Sequence, residues 1–271
     1  MIVFPNCKIN LGLRILRKRG DSYHDLETIF YPLPFFDALE IIPAAEKTIT
    51  FTTSGLTTET GANNLCIKAY ELLKKDFPGL PVAKIHLHKT IPSGAGLGGG
   101  SADAAFTLRL LNDKFTLGLS QDQLIKYALQ LGSDCPFFII NKPCFATGRG
   151  EVLEETVVDL SSYNIVIVNP GIHISTANAF AGITPAVPAK SVKEIIQQPV
   201  ETWEDELIND FETPVFTQYP EIQEIKQELY NKGAVYASLS GSGSTVYGIF
   251  KKGNPVQLAF PANYFVKQLL S

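Results

Sequence analysis

Between Pro92 and Ala105 the chain reads Pro-Ser-Gly-Ala-Gly-Leu-Gly-Gly-Gly-Ser-Ala-Asp-Ala-Ala, and five glycines fall between Gly94 and Gly100. Phe-Thr-Leu-Arg-Leu-Leu follows, so helix-forming residues with apolar spacing begin near Ser101. So many glycines cost backbone entropy that a plain turn would not need. Glycine permits positive φ and lets the main chain approach a ligand with no Cβ in between. A helix start adds unpaired N–H groups and the positive end of its dipole. Together they point to an anion, and phosphate is the expected ligand.

Two familiar nucleotide signatures fail here. Gly94, Gly96 and Gly99 satisfy the G-x-G-x-x-G spacing, which needs a strand directly before it and an acid about twenty residues on. Lys89-Thr-Ile-Pro-Ser separates the strand-like Lys84–His88 from the glycines, and Ser120-Gln-Asp-Gln-Leu opens a helix where a second strand should end. That argues against an NAD-dependent oxidoreductase. A Walker A alignment puts Gly100 where the phosphate-binding lysine belongs.

At 271 residues the chain is long enough for one large domain or two smaller ones. Its net charge of −4, with charges mixed along the chain, gives no footprint for nucleic acid or a membrane surface. Arg14, Arg17, Lys18 and Arg19 form the densest basic cluster, either a solvated turn or an electrostatic aid to an anionic substrate. The first residues break at Pro5 and do not resemble a signal peptide, and no apolar run is long enough to span a bilayer. Cys7, Cys66, Cys135 and Cys144 lack metal-ligand spacing and are expected to be reduced thiols of a cytoplasmic protein.

Taken in order, Ile9, Leu11, Leu13 and Ile15 share one face of a strand, with Lys8, Asn10 and Arg14 on an open face. A turn at Arg19-Gly-Asp-Ser leads through Tyr23 and His24, on a polar loop edge, to a second strand ending near Leu33. Residues 36–42 and 48–53 are read as a hairpin pair of strands. A helix capped at Asn63–Asn64 stops before Pro78-Gly79, and Val82–His88 is a strand whose His86 and His88 face outward. A second helix follows the glycines, and a third runs from Gln121 to Leu131, closed by Gly132. Asp134 then stands before Pro136 on irregular backbone, as a turn or cap residue unless something else assigns it a role. Beyond Glu151 the pattern restarts with a strand at Asn164–Val168, helical stretches at 191–198 and 212–231, and strands on either side of Ser240–Ser244. There is no tandem repeat, and the natural division gives two α+β halves, 1–153 and 154–271.

Three separated stretches resemble the three motifs of the GHMP small-molecule kinases, in the family's order: Lys8-Ile-Asn-Leu, Pro92–Ala102, and Leu239-Ser-Gly-Ser-Gly-Ser-Thr-Val. Asn10-Leu-Gly-Leu-Arg-Ile, Asp21-Ser-Tyr-His-Asp-Leu and Gly132-Ser-Asp-Cys-Pro-Phe-Phe narrow the likeness to the branch acting on a cytidine diphosphate-linked methylerythritol. The resemblance implies a two-domain α+β fold: an N-terminal α/β domain of the ribosomal S5 domain 2 type and a ferredoxin-like C-terminal domain, with the active site in the cleft between them. It implies ATP-dependent phosphorylation of a hydroxyl of that compound, to the 2-phosphate and ADP, in the non-mevalonate isoprenoid pathway. Lys8 and Asp134 become the catalytic pair, with Asp134 as general base. Asn64, Lys89, Pro92, Gly94, Ala95, Gly96, Leu97, Gly98, Gly99, Gly100 and Ser101 become the ATP side. Tyr23 and Phe180 are implied to sandwich the cytosine ring, His24 to read its edge, and Asn10, Thr176, Gly241 and Ser242 to face the substrate. Mg²⁺ is expected with ATP, and Ser101 is its one protein candidate. The chain is expected to act on a small molecule as a monomer or weak homodimer.

Departures from the family pattern are small. Ser22 stands where glycine is usual, at a turn where glycine would permit positive φ, and Ser133 where alanine commonly precedes the aspartate. Two other readings stay open: a GHMP kinase for another small alcohol such as homoserine, and a non-catalytic nucleotide sensor, against which intact Lys8 and Asp134 count. Cys7 and Cys135, each beside a catalytic candidate, are expected to make the activity sensitive to oxidants.

Overall fold

The computed structural model describes residues 1–46, 48–253 and 257–269. In chain order the first strands are β1 (Ile2–Val3), β2 (Asn6–Lys18), β3 (His24–Phe36), β4 (Ala38–Pro43), β5 (Thr50–Gly55) and β6 (Ala83–Lys89). They are followed by β7 (Cys144–Thr147), β8 (Val152–Glu155), β9 (Tyr163–Asn169), β10 (Tyr236–Leu239), β11 (Val246–Lys251) and β12 (Phe265–Leu269). The helices are α1 (Leu65–Asp76), α2 (Gly99–Lys114), α3 (Gln121–Leu131), α4 (Cys135–Ile140), α5 (Thr176–Ala181), α6 (Val192–Ile195), α7 (Glu212–Gln218) and α8 (Pro220–Asn231). Two compact units divide the chain, neither of them one continuous stretch. The first takes Met1–Lys8, Pro32–Ser93 and Gly98–Lys142, and the second Ile9–Tyr31, Gly94–Leu97 and Pro143–Ser271.

In the first unit four strands form a sheet of order β1-β4-β6-β5. The hairpin expected between β4 and β5 does not form. Both border β6, β4 antiparallel (Leu39↔Leu87) and β5 parallel (Phe51↔Ile85). A parallel pair needs a long crossover, and α1 supplies it. Asn64 caps α1 by accepting from Cys66 N at 2.8 Å, and Cys66, Ile67, Ala69, Tyr70 and Leu73 form the buried stripe. Burying a side chain the size of Leu73 contributes about 2 kcal/mol. The helix α2 starts at Gly99, inside the glycine run, and is buried on most sides through Ala102, Ala104, Ala105, Phe106, Leu108, Leu110 and Leu111. The capping box of Ser120 and Gln123 opens α3 where the sequence puts it. The apolar run after Asp134 forms the short helix α4, with Pro136 in the first turn, where its missing N–H has no intrahelical partner to lose.

The second unit holds most of a sheet of order β2-β3-β7-β8 and a fully antiparallel sheet of order β10-β11-β9-β12. The latter order is that of the ferredoxin-like arrangement. It departs from that arrangement at the return from β11 to β12, which carries no helix among the described residues. Val166, Val168, Leu239, Val246 and Phe250 from the sheet pack with Phe211, Val215, Ile222, Ile225 and Leu229 in one core. In β2, Ile9, Leu11, Leu13 and Ile15 are buried as the alternation requires, but Lys8 and Asn10 are buried too, so the face expected to be open is covered. No helix among the described residues is long and apolar enough to cross a membrane.

Candidate active site

The N-terminus of α2 is open in the way an anion site requires. Its cap, Gly98, has φ 69°, no side chain caps the helix, and no acid stands in its first turn. A side chain at Gly98 would run into the Phe138 ring and, at 3.1 Å, the Lys8 Cγ. Glycine there lets the loop lie directly on the stem of Lys8. Gly100 is exposed, with room for a Cβ at ordinary contact distance (4.0 Å) from Leu65 Cδ1, and Ser101 is half-buried. Pro92 is half-buried just ahead of the loop. Unpaired N–H groups, the dipole and a first turn without acids suit phosphate oxygens.

Beside this helix end, Lys8 Nζ and Asp134 Oδ2 lie 3.4 Å apart. The lysine side chain is 4% exposed and the aspartate 35%, so one partner is enclosed while the other presents a carboxylate outward. Asp134 holds αR backbone (φ −82°, ψ −16°) at the start of α4 and caps nothing with its side chain. It stands at the N-cap position, as its sequence neighbours suggest, but its carboxylate makes no cap bond and pairs with Lys8 instead. The next residue, Cys135, is fully buried, and burial pushes its thiol up to about 12, with a Ser101 hydrogen bond pulling the other way.

Lys89 and Asn64, expected on the ATP side, both have side chains engaged by other protein groups. The Lys89 ammonium is buried behind the loop, bonded to Asp37 Oδ2 and, at 2.7 Å, to Asp103 Oδ2. Burial opposes its charge, yet the carboxylates of Asp103 and Asp37 raise its pKa overall. Its charge is offset by these two acids, and its Nζ would stand 3.0 Å from a Cβ on Gly99 at the start of α2. Asn64 uses its oxygen to cap α1 and its amide to bond Glu59 O at 2.6 Å. Sequence reasoning passed over Asp37 and Asp103. The available signal was a lone acid in an otherwise apolar run, Phe-Phe-Asp-Ala-Leu and Ser-Ala-Asp-Ala-Ala-Phe.

In the second unit, the first half of the glycine loop rests on the segment after β10. Ser240 Oγ donates to Gly96 O at 3.0 Å, and Thr245 N donates to Ala95 O at 3.2 Å. Gly96 has φ 86°, and a Cβ on it would overlap the Ser240 carbonyl; one on Gly243 would overlap the Ala95 backbone. Gly94 is exposed beside His173, while Ala95 and Leu97 are buried. Asn209 donates to Leu239 O at 2.8 Å and Gly241 O at 2.9 Å, fixing that segment from beneath. Asn10 is committed as well, its amide to Thr28 Oγ1 at 3.0 Å, its N–H to Ser240 Oγ at 3.4 Å and its carbonyl to Tyr247 OH at 2.8 Å.

The same unit contains a cavity of about 560 Å³ walled by Tyr23, His24, Thr176, Phe180, Ile183 and Lys18, among others. Thr176 Oγ1 accepts from Ser242 Oγ at 3.5 Å. His24 stacks on Phe180, with centroids 4.7 Å apart and planes 14° from parallel, and Phe211 meets Phe180 edge-on at 4.8 Å. Tyr23 instead carries the Arg149 guanidinium 4.5 Å from its ring centre. No cluster of three His, Cys, Asp or Glu able to hold a metal occurs among the described residues, and His86 and His88 bond to Ser54.

The family model for the GHMP kinases N-terminal domain matches residues 64–142, and that for the GHMP kinases C-terminal domain matches 189–265. This chain belongs to the GHMP kinases, and its fold is theirs. The curated 4-diphosphocytidyl-2-C-methyl-D-erythritol kinase of Azobacteroides pseudotrichonymphae is 54% identical over 254 residues, 93% of this chain and 94% of that one. That of Bacteroides thetaiotaomicron is 55% identical over 256 residues, 93% and 92% of the two chains. A crystal structure of 4-(cytidine 5'-diphospho)-2C-methyl-D-erythritol kinase superposes with a TM-score of 0.80 at 30% identity, covering 92% of this chain and 90% of that one. Within the GHMP kinases, the family is that of the 4-diphosphocytidyl-2-C-methyl-D-erythritol kinases.

Proposed function

We propose that this protein transfers the terminal phosphoryl group of ATP to a hydroxyl of 4-diphosphocytidyl-2-C-methyl-D-erythritol, giving the 2-phosphate and ADP on the non-mevalonate route to isoprenoid precursors. The names of its relatives support the substrate, and the observation that carries the chemistry is the Lys8–Asp134 pair beside Gly98 at the uncapped start of α2. Phosphoryl transfer needs its phosphate oxygens held and the acceptor hydroxyl in line, with a place for the hydroxyl proton. The backbone from Gly98 to Ser101 holds phosphate. Asp134 orients the hydroxyl and accepts its proton, while the Lys8 ammonium beside it offsets the developing alkoxide. Because the transition state is loose in most analyses, orientation contributes at least as much as proton removal.

Mg²⁺ accompanies ATP in this reading, neutralising phosphate charge, and the only protein oxygen assigned to it is the Ser101 hydroxyl. The base enters the cavity of Tyr23, His24 and Phe180, where flat rings and an imidazole suit a neutral pyrimidine. A cytoplasmic location and a monomer or weak homodimer complete the proposal, and the free, buried state of all four cysteines is consistent with that location.

The test is ADP release with ATP, Mg²⁺ and the diphosphocytidyl alcohol, for wild type, Asp134→Asn and Tyr23→Ala. Substrate-dependent turnover that falls about 10²–10⁴-fold in the first variant is expected from loss of a general base. The second should raise the KM for the alcohol and leave that for ATP unchanged. Turnover with homoserine but not with the cytidine compound would refute the substrate, and ATP binding without any phosphorylation would refute the kinase activity.

A further inference from the structure

The turn between β7 and β8 reads Thr147-Gly-Arg-Gly150 and lies outside the three family motifs, yet it delivers a cation to the wall of the cavity. Gly148 O accepts from Leu26 N at 2.8 Å, which ties the turn to the start of β3, just after Tyr23 and His24. Within the turn, Arg149 N donates to Glu151 Oε2 at 2.5 Å, and Arg149 Nε lies 3.5 Å from Glu151 Oε1. The side chain so directed sets its guanidinium over the Tyr23 ring at 4.5 Å. Tyr23 itself is 53% exposed on the turn, with its main-chain N–H bonded to Asp21 Oδ1 at 3.1 Å. Its backbone is pinned, and its ring is left largely to solvent on one side.

We propose that Arg149 is a positioning residue for the nucleobase end of the substrate, clamping one face of Tyr23 so that the ring stands as a fixed wall of the cavity. This rests on the reading of Tyr23 as a base-stacking residue. Arg149 does not line the cavity, so its effect passes through the tyrosine. A planar guanidinium can cover an aromatic face as well as attract it, which a lysine ammonium does less well. Fixing the ring before the base arrives removes an ordering cost from binding, so the effect belongs in substrate affinity and not in the chemical step.

The experiment is steady-state kinetics with the diphosphocytidyl alcohol for Arg149→Met, Arg149→Lys, Tyr23→Ala and the Tyr23→Ala/Arg149→Met double variant. Arg149→Met should raise the KM for the alcohol about threefold to tenfold, with kcat and the KM for ATP unchanged. Arg149→Lys should recover part of the loss. In the Tyr23→Ala background, Arg149→Met should add nothing, because the ring it acts through is gone. An unchanged KM in Arg149→Met overturns the inference while base stacking on Tyr23 stands. The same fold-rise with and without Tyr23 also overturns it, since Arg149 would then act on the substrate directly or through the turn alone. If Tyr23→Ala itself leaves the KM unchanged, the stacking role falls and this inference falls with it.

Discussion

Lys89 Nζ lies 2.7 Å from Asp103 Oδ2, and this bond ties the last residue of β6 to the opening of the helix on the far side of the glycine loop. Asp37 completes the tie. Its Oδ2 accepts from the same ammonium, while its Oδ1 accepts from Thr90 N at 2.6 Å and Ile91 N at 2.9 Å. Both ends of the loop are thus held from within the first unit.

Removing the ammonium leaves two carboxylates in a dry interior. Lys89→Met should lower unfolding stability by about 3–5 kcal/mol, the usual cost of breaking a buried pair. Urea titration measures this directly. A loss under about 1 kcal/mol would mean that the carboxylates find water or protons at little cost.

Gly96 is the least replaceable loop residue. A Cβ there overlaps the Ser240 carbonyl, and φ is already 86°. Gly96→Ala should cost on the order of 3 kcal/mol from overpacking and left-handed backbone combined. Gly100→Ala, where a Cβ would make only an ordinary contact with Leu65, should cost about 1 kcal/mol or less, since alanine favours the helix. Thermal melts of the two variants should separate clearly, and equal losses would contradict the packing described.

Ser22 has φ 69°, the left-handed region that a Cβ disfavours. Ser22→Gly should therefore stabilise the protein by about 0.5–1 kcal/mol, once the extra unfolded-state freedom of glycine is subtracted. A rise in Tm without change in KM for the alcohol is the expected result. A fall in Tm would show that the serine makes a compensating contact.

All four cysteines are free and buried, which alters the expectation of oxidant sensitivity. Burial, with Asp37 adding to it, pushes the Cys7 thiol up to about 12, and burial does the same to Cys135. At pH 8 about one such thiol in ten thousand is a thiolate, so neither reacts readily in the folded state. An aromatic disulfide reagent should titrate no thiol within minutes in native protein and four in guanidinium. The sign of the linked pH effect follows: the unfolded chain loses these protons near pH 9, where the folded chain keeps them. Stability is whole below pH 9 and declines above it, which melts from pH 7 to 10.5 would record.

The glycine loop, the helices α1 and α3 and the core face of β2 were legible because each follows from local periodicity, capping or turn chemistry. Ser22 was legible as a strained position for the same reason: the conformation is a property of a single residue. The partners of Lys89 were not legible, because a lysine before a phosphate loop has the same sequence whether or not two buried acids pair with it. Only Asp37 and Asp103, far apart in the chain, decide the matter. The β4–β5 pairing was missed because two adjacent strands with a short link look like a hairpin, while the partner that separates them, β6, lies beyond α1. Tyr23, His24 and Phe180 line one cavity, and which rings stack on each other is a matter of side-chain rotation that no spacing encodes.

Thr28 of β3 pairs with Ala146 of β7, more than a hundred positions later. A ribosome needs on the order of ten seconds to cover that distance. Throughout that interval the strand that begins at the cavity wall has an unsatisfied edge, and the newborn chain is exposed to wrong partners. Slow synthesis of residues 31–143 should therefore lower the yield of soluble protein, and early chaperone engagement should restore it.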